Sequence, residues 1–175
     1  IYGGIWAEML EDRKFYFPIT AEFAPYRGLK PTAGTSDFNV GNLQQSDFPA
    51  LVASPWEIIG APAGVEMIRE NAFVGEQTPL IRAGHGIRDH KLGVVAGLDY
   101  VGYVWARPTG ERPATVEVAL VWGDGPAERA TQRLTFAPGE YSRQPFSLRS
   151  LARTDAARLE LRIHESDTLL GTVSL

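Results

Sequence analysis

Cysteine is absent from this chain of 175 residues. Disulfide bonds, thiolate catalysis and metal sites with cysteine ligands are therefore excluded. The sequence also lacks an apolar run approaching the roughly 18–20 residues that a membrane-spanning helix requires. Its Lys and Arg residues are scattered instead of forming the basic stripe of a nucleic-acid surface. We therefore expect neither a membrane nor a nucleic acid as a partner.

The composition is that of a folded domain. Hydrophobic residues make up 44% of the chain, and the formal net charge is −4. A chain of this length buries enough apolar surface to fold without disulfides or a metal. We therefore expect one domain.

The two ends of the sequence are apolar. The chain begins with Ile1-Tyr2, without an initiator Met or a signal peptide, and it ends with Val173-Ser174-Leu175 in a strand-like pattern. Natural termini are usually polar and frayed. This pattern favours a segment of a longer polypeptide.

Residues 1–53 have a different sequence pattern from the rest of the chain. Residues 5–15 predict a short helix, ended by Pro18, because their apolar side chains fall near one helical stripe: Ile5, Trp6, Met9, Leu10 and Phe15. Residues 20–53 contain Pro and Gly too closely spaced for long elements. They still carry Phe23, Tyr26, Phe38 and Phe48, so they predict a long loop packed on the core.

From residue 54 onward the pattern is one of short strands separated by Gly and Pro turns. The predicted strands cover 65–70, 78–83, 86–90, 98–107, 115–122, 130–136, 141–148, 157–163 and 169–175. About nine strands at this spacing are typical of an all-β jelly roll or β-sandwich. The strand at 98–107 is apolar on both faces. Its outer face should therefore be covered by a sugar, a loop or another domain.

No catalytic set stands out. His85, Asp89 and His90 lie in "GHGIRDH", whose spacing matches no metal motif, so they are interpreted as polar loop residues. Glu8 and Asp12 are four residues apart on the predicted helix. Two such acids are interpreted as a solvated helix face, not as a glycosidase pair.

Aromatic residues point to carbohydrate binding, because a sugar ring stacks its C–H face on an aromatic ring. Candidate binding residues are Trp105, Tyr103 and Arg107 on one strand face, joined by Glu117 and Arg162 if their strands are neighbours. The alternative is that Trp105 packs beneath a loop or a partner domain. Trp56 and Trp122 are interpreted as structural.

The segment 69–81 combines a polar turn with a following strand. Glu70, Asn71 and Glu76 supply hard oxygen ligands of the kind that suit a structural Ca²⁺. A plain turn is the competing interpretation.

Two sets of motifs carry a resemblance to known families. The segments "NAFVGEQTPLI" (71–81), "GVVAGLDYVGYVWAR" (93–107) and "TVEVALVWG" (115–123) resemble the galactose-binding-like jelly roll of many carbohydrate-binding modules. The opening "YGGIWAEMLEDRKF" (2–15) is similar to the segment after the first barrel strand of glycoside hydrolase family 51-type α-L-arabinofuranosidases. Some members of that group carry a jelly-roll module inserted there.

The resemblance implies an accessory module inserted in a host (β/α) barrel of the same polypeptide. Residues 1–19 would leave the first barrel strand, 20–53 would form the packed loop, and 54–175 would form the jelly roll. The parent enzyme would be a retaining hydrolase of arabinose-containing glycans. Its catalytic glutamates would lie outside this chain, so no residue here is assigned a catalytic role. A structural insert that binds no sugar, and a free-standing binding protein, are the alternatives.

Overall fold

The structure is a computed structural model that describes residues 8–27 and 50–175. Apart from a short 3-10 helix at Pro62–Gly64, the regular elements of these residues are β-strands. In chain order, β1 to β12 are Tyr26–Arg27, Ala50–Leu51, Glu57–Ile59, Val65–Ile68, Thr78–Ile81, Gly86–Val94, Asp99–Pro108, Ala114–Val121, Arg129–Phe136, Ser142–Arg149, Thr154–His164 and Thr168–Ser174. Helices of membrane-spanning length and hydropathy are absent from these described ranges.

Two five-stranded antiparallel sheets form the body of the molecule. We call β10-β7-β12-β5-β4 the front sheet and β3-β6-β11-β8-β9 the back sheet, each in its spatial order. Strands that follow one another in sequence often lie in different sheets, as β11 and β12 do. The predicted all-β jelly-roll sandwich is therefore confirmed.

The core lies between the inner faces of the two sheets. In β8, Val116, Val118 and Leu120 are fully buried, while Glu117 between them faces outward. In β11 the inward residues, such as Leu161, are equally buried. Burying an apolar side chain of this size contributes about 1.5–3 kcal/mol. The period-two pattern thus determines which face of each strand joins the core.

Residues 8–19 do not form the predicted helix, and residues 5–7 of that prediction lie outside the described ranges. A turn occupies residues 11–14, and both Asp12 (φ 46°) and Phe15 (φ 58°) have left-handed backbone conformations that end any helix. The Asp12 carboxylate accepts the N–H groups of Tyr16 (2.6 Å) and Phe17 (3.0 Å). Asp12 therefore stabilises a turn instead of a helix face.

This N-terminal segment pairs with the end of β12. The Met9 N–H donates to the Leu175 carbonyl, and the Val173 N–H donates to the Arg13 carbonyl, each at 3.1 Å. The segment thereby places Leu10, Phe15 and Ile19 in the hydrophobic core. Its apolar residues are spaced for insertion between the sheets, which explains why the helical pattern was misleading.

Both tryptophans interpreted as structural have that role. Trp56 is buried beside Phe15, with ring centroids 5.6 Å apart, and its Nε1–H donates to the Asp12 carbonyl at 3.3 Å. Trp122 is partly buried against the core. Trp56 therefore fastens the N-terminal segment to the sandwich.

The predicted loop at 20–53 is described only at its two ends. There β1 pairs with β2 in an antiparallel ribbon, and Pro25 is buried. The ring of Phe23 lies 5.1 Å from that of His90 in β6 and is 42% exposed. Packing of the whole 20–53 loop on the core stays a prediction. The predicted contacts of Phe38 and Phe48 lie outside the described residues.

Candidate functional site

Three of the five predicted sugar-binding residues lie together on the outer face of the front sheet. Tyr103, Trp105 and Arg107 alternate along β7 with Val104 and Ala106, which are fully buried in the core. The three outward side chains are only partly buried. Strand periodicity therefore identifies this face correctly.

Glu117 and Arg162 do not join that face. They lie on β8 and β11 of the back sheet, where they are paired in register. The Glu117 carboxylate accepts from Arg133 Nε at 3.0 Å. The prediction required β8 and β11 to be neighbours of β7, but β7 lies in the other sheet. These two residues are therefore not part of the surface around Trp105.

The indole of Trp105 is covered by a residue of the turn 69–77. The rings of Phe73 and Trp105 are tilted by 32°, with centroids 5.0 Å apart, and Tyr141 lies 5.0 Å from Phe73 on another side. Gly171, at a register shift of β12, makes room for this packing. A Cβ there would lie 2.5 Å from Phe73 Cγ. A loop therefore covers this part of the doubly apolar strand.

Beside this covered region the outer face opens into a groove of about 990 Å³. The groove lies along β7 and β10 and is bordered by the N-terminal segment and the end of β12. Its lining consists of Glu8, Arg13, Val101, Gly102, Tyr103, Gln132, Arg143, Pro145, Phe146, Ser147, Ser174 and Leu175. Tyr103 is thus the predicted site residue that lines it, whereas Trp105 and Arg107 lie outside its walls.

Two arginines meet at the Tyr103 ring inside the groove. The guanidinium carbon of Arg143 lies 4.3 Å from the ring centroid, in a cation–π contact. Arg13 Nη1 donates to the Tyr103 hydroxyl at 3.4 Å. On the neighbouring wall, the Gln132 side-chain carbonyl accepts the Ser147 N–H at 2.9 Å.

Sequence reasoning missed both arginines of this groove. Arg143 could have been found, because the period-two pattern of the strand predicted at 141–148 puts Arg143, Pro145 and Ser147 on one face. Arg13 could not be placed, since its position depends on the turn that replaces the predicted helix.

Glu8 borders the groove and has a structural role that the sequence does not reveal. Its carboxylate accepts from the N–H groups of Leu10 (3.2 Å) and Leu175 (3.1 Å) and from the Ser174 hydroxyl (2.7 Å). It also forms an ion pair with Arg13 at 3.2 Å. The interpretation of Glu8 as part of a solvated helix face is therefore wrong. This carboxylate joins the N-terminal segment to the end of β12.

Asp89 and His90 belong to β6, so their interpretation as loop residues is wrong. Asp89 is only 4% exposed, and burial raises the pKa of its carboxyl to about 7. Its Oδ1 accepts the His90 N–H at 2.7 Å. His90 Nε2 in turn lies 2.7 Å from Glu57 Oε2, which also accepts from Arg88 Nε.

Groups of three His, Asp or Glu side chains that could hold a metal are absent from residues 8–27 and 50–175. Glu70, Asn71 and Glu76 are exposed around the turn 69–77. Calcium binding by this turn stays a prediction.

Comparison with known proteins places the fold. Neither a protein-family model nor a curated protein matches the sequence. Among solved structures, the chain is similar to the arabinose-bound MgGH51 α-L-arabinofuranosidase, with 13% identity and a TM-score of 0.57. The match covers 99% of this chain and 27% of that enzyme.

Isolated carbohydrate-binding modules are similar as well. The CBM22-1 xylan-binding domain from Paenibacillus barcinonensis Xyn10C has 15% identity and a TM-score of 0.52, over 68% of this chain and 83% of that one. TmCBM61, solved with β-1,4-galactotriose, has 13% identity and a TM-score of 0.50, over 69% and 87%. The chain therefore has the jelly-roll fold of carbohydrate-binding modules, a fold that also matches part of a family 51 arabinofuranosidase.

Proposed function

We propose that this chain is an accessory carbohydrate-binding module of an α-L-arabinofuranosidase-type retaining glycoside hydrolase. The module binds arabinose-containing oligo- or polysaccharide in the groove beside Tyr103. The catalytic glutamates belong to a host barrel outside residues 1–175, so the module supplies binding and no chemistry.

The groove itself carries this proposal. Its volume of about 990 Å³ lies at the upper end of the roughly 300–1,000 Å³ usual for small-ligand sites. Val101 and Pro145 provide apolar surface on which a sugar ring could pack, while Arg143, stacked on the Tyr103 ring, and Gln132 offer hydrogen bonds to hydroxyls. This combination suits an amphipathic ligand such as a glycan.

Two features of the comparisons support the proposal. The similar modules include a xylan-binding domain and one solved with a galactotriose. The match to the arabinofuranosidase extends over 99% of this chain, so it includes the N-terminal segment as well as the sandwich. A module within such an enzyme is the simplest account of both.

Calorimetric titration of the 1–175 chain with arabino- and xylo-oligosaccharides tests the proposal. We expect binding of one class, which Tyr103→Ala abolishes. Tyr16→Ala is the matched control, because Tyr16 is 80% exposed and does not line the groove. Trp105→Ala should weaken binding less, since Phe73 covers the indole.

A structural insert that binds no sugar is the second candidate, and the covered Trp105 favours it. An indole packed against Phe73, which in turn packs against Tyr141, resembles a supporting contact more than an open sugar platform. Such an insert would shape the rim of the active site or cover an oligomer interface. No heat at millimolar sugar, with the chain folded, would rule out the binding module and leave this alternative.

A further inference from the structure

The charges of the groove are unbalanced. The side chains of its lining include two arginines, Arg13 and Arg143, and one acid, Glu8, which gives a side-chain charge of +1 in a chain whose side chains sum to −4. The single carboxylate is already engaged by four donors from the N-terminal segment and the end of β12. The groove therefore presents positive charge to a ligand.

The positive charge that a ligand can reach in this groove is that of Arg143. Its guanidinium rests on the Tyr103 ring, and among the described residues it forms no ion pair with an acid. The side chain is exposed, so its donors are accessible from the groove. Stacking on the ring limits the orientations of the guanidinium, which reduces the entropy lost when a ligand binds.

Arginines on the outer face of the back sheet behave differently. Arg88 binds Glu57, Arg129 and Arg162 contact Glu160, and Arg133 binds Glu117. Those positive charges are neutralised within the protein. Within residues 8–27 and 50–175 the guanidinium of Arg143 has no such acidic partner, although it lies in the groove.

We propose that the groove selects glycans that carry a carboxylate, namely arabinose-containing chains with uronic-acid substituents. Arg143 pairs with the uronate through two parallel N–H···O bonds, a geometry that the planar guanidinium favours. Arg13 contacts the Tyr103 hydroxyl but is already paired with Glu8, so the uncompensated charge of the groove comes from Arg143. This inference rests on the proposed function, because it names the ligand class of the same groove.

The experiment compares two matched ligands by calorimetry on the 1–175 chain. One is a neutral arabinoxylo-oligosaccharide, and the other has the same backbone with one glucuronic-acid substituent. We expect the acidic ligand to bind about tenfold more tightly at low salt, with the difference shrinking as salt screens the charge. Arg143→Ala should reduce its affinity to that of the neutral ligand, and Arg143→Lys should restore part of it.

Arg149→Ala is the matched control. Arg149 lies on the same strand as Arg143 but outside the groove lining, where it pairs with Asp99. It should leave both affinities unchanged. Equal affinity for the two ligands, or an equal loss for both in Arg143→Ala, would overturn the uronate inference while leaving sugar binding intact. Absence of binding by either ligand would overturn the proposed function as well.

Discussion

At the scale of single residues, the buried Asp89 should make the stability of the fold depend on pH below neutrality. Its carboxyl group is buried within β6, and the charges of Glu11 and Asp12 lie close to it. Burial disfavours the ionised form and raises the pKa to about 7, while the N–H of His90 partly offsets this effect. The pKa of Asp12 is also raised by burial.

Because the pKa of Asp89 is higher in the folded than in the unfolded chain, the fold should be more stable at low pH than at neutral pH. The unfolded chain releases this proton near pH 3.8, whereas the folded chain retains it until about pH 7. The free energy of unfolding should therefore fall as the pH rises from about 4.5 to 7, at about 1.4 kcal/mol per pH unit at most. Glu57, whose pKa is lowered by Arg88, acts in the opposite direction only at more acidic pH. Urea denaturation across this range measures the slope.

Asp89→Asn should flatten this pH dependence, because an amide keeps the hydrogen-bond acceptor but does not titrate. Asp155→Asn, at an exposed position of β11, should leave the slope unchanged. A slope that persists in Asp89→Asn would assign the effect to another group.

Glu8 provides the second prediction at this scale. Glu8→Ala removes the acceptor shared by Leu10, Leu175 and Ser174 and should lower the free energy of unfolding by about 1–3 kcal/mol. Glu76→Ala, at an exposed turn position, should change it little. Urea denaturation of the two variants gives the comparison. Equal effects would mean that water replaces these hydrogen bonds without cost.

At the scale of secondary-structure elements, the turn 69–77 packs on β12 at Gly171, where the absence of a side chain leaves room for Phe73. Gly171→Ala would place a methyl group where Phe73 now packs, so Phe73 should move away from Trp105. We expect the tryptophan emission to shift to the red, and the shift to disappear when Trp105→Phe is added. Gly110→Ala is the control, since a Cβ there meets no atom within 4 Å. An unchanged spectrum would show that β12 adjusts instead of the turn.

For the molecule as a whole, the N-terminal segment and the sandwich should unfold as one unit. Phe15 is fully buried in the common core beside Trp56, so Phe15→Ala should cost about 3–5 kcal/mol. The fluorescence of Trp56 and the far-UV circular dichroism should follow the same transition. Tyr16→Ala, one residue further at an exposed position, should have little effect. Separate transitions would show that the segment detaches first.

The parts of the fold that local sequence determines were predictable. The strands predicted at 115–122 and 157–163 correspond to β8, Ala114–Val121, and β11, Thr154–His164. Alternation of apolar and polar residues depends on neighbours within one strand, so it can be read from sequence. The same alternation correctly assigned Tyr103 and Trp105 to one face.

What could not be predicted depends on contacts between distant residues. Whether Glu117 lies near Trp105 depends on which sheet β8 joins, and no local pattern specifies that. Phe73 lies 32 positions before Trp105 in sequence, so nothing local shows that it covers the indole. The apolar spacing of Leu10 and Phe15 fits a helix as well as a segment inserted between two sheets.

The antiparallel pairing of the N-terminal segment with the end of β12 also has a mechanical consequence. Residues 8 and 175 lie side by side, and the hydrogen bonds Met9–Leu175 and Arg13–Val173 follow one another away from them. A force that pulls these two residues apart acts perpendicular to the paired segments. It would therefore load the hydrogen bonds one after another, whereas a force along the segments would load them together in shear. Under tension these hydrogen bonds should therefore break at low force, and the buried contact between Phe15 and Trp56 should then resist further separation until the sandwich yields.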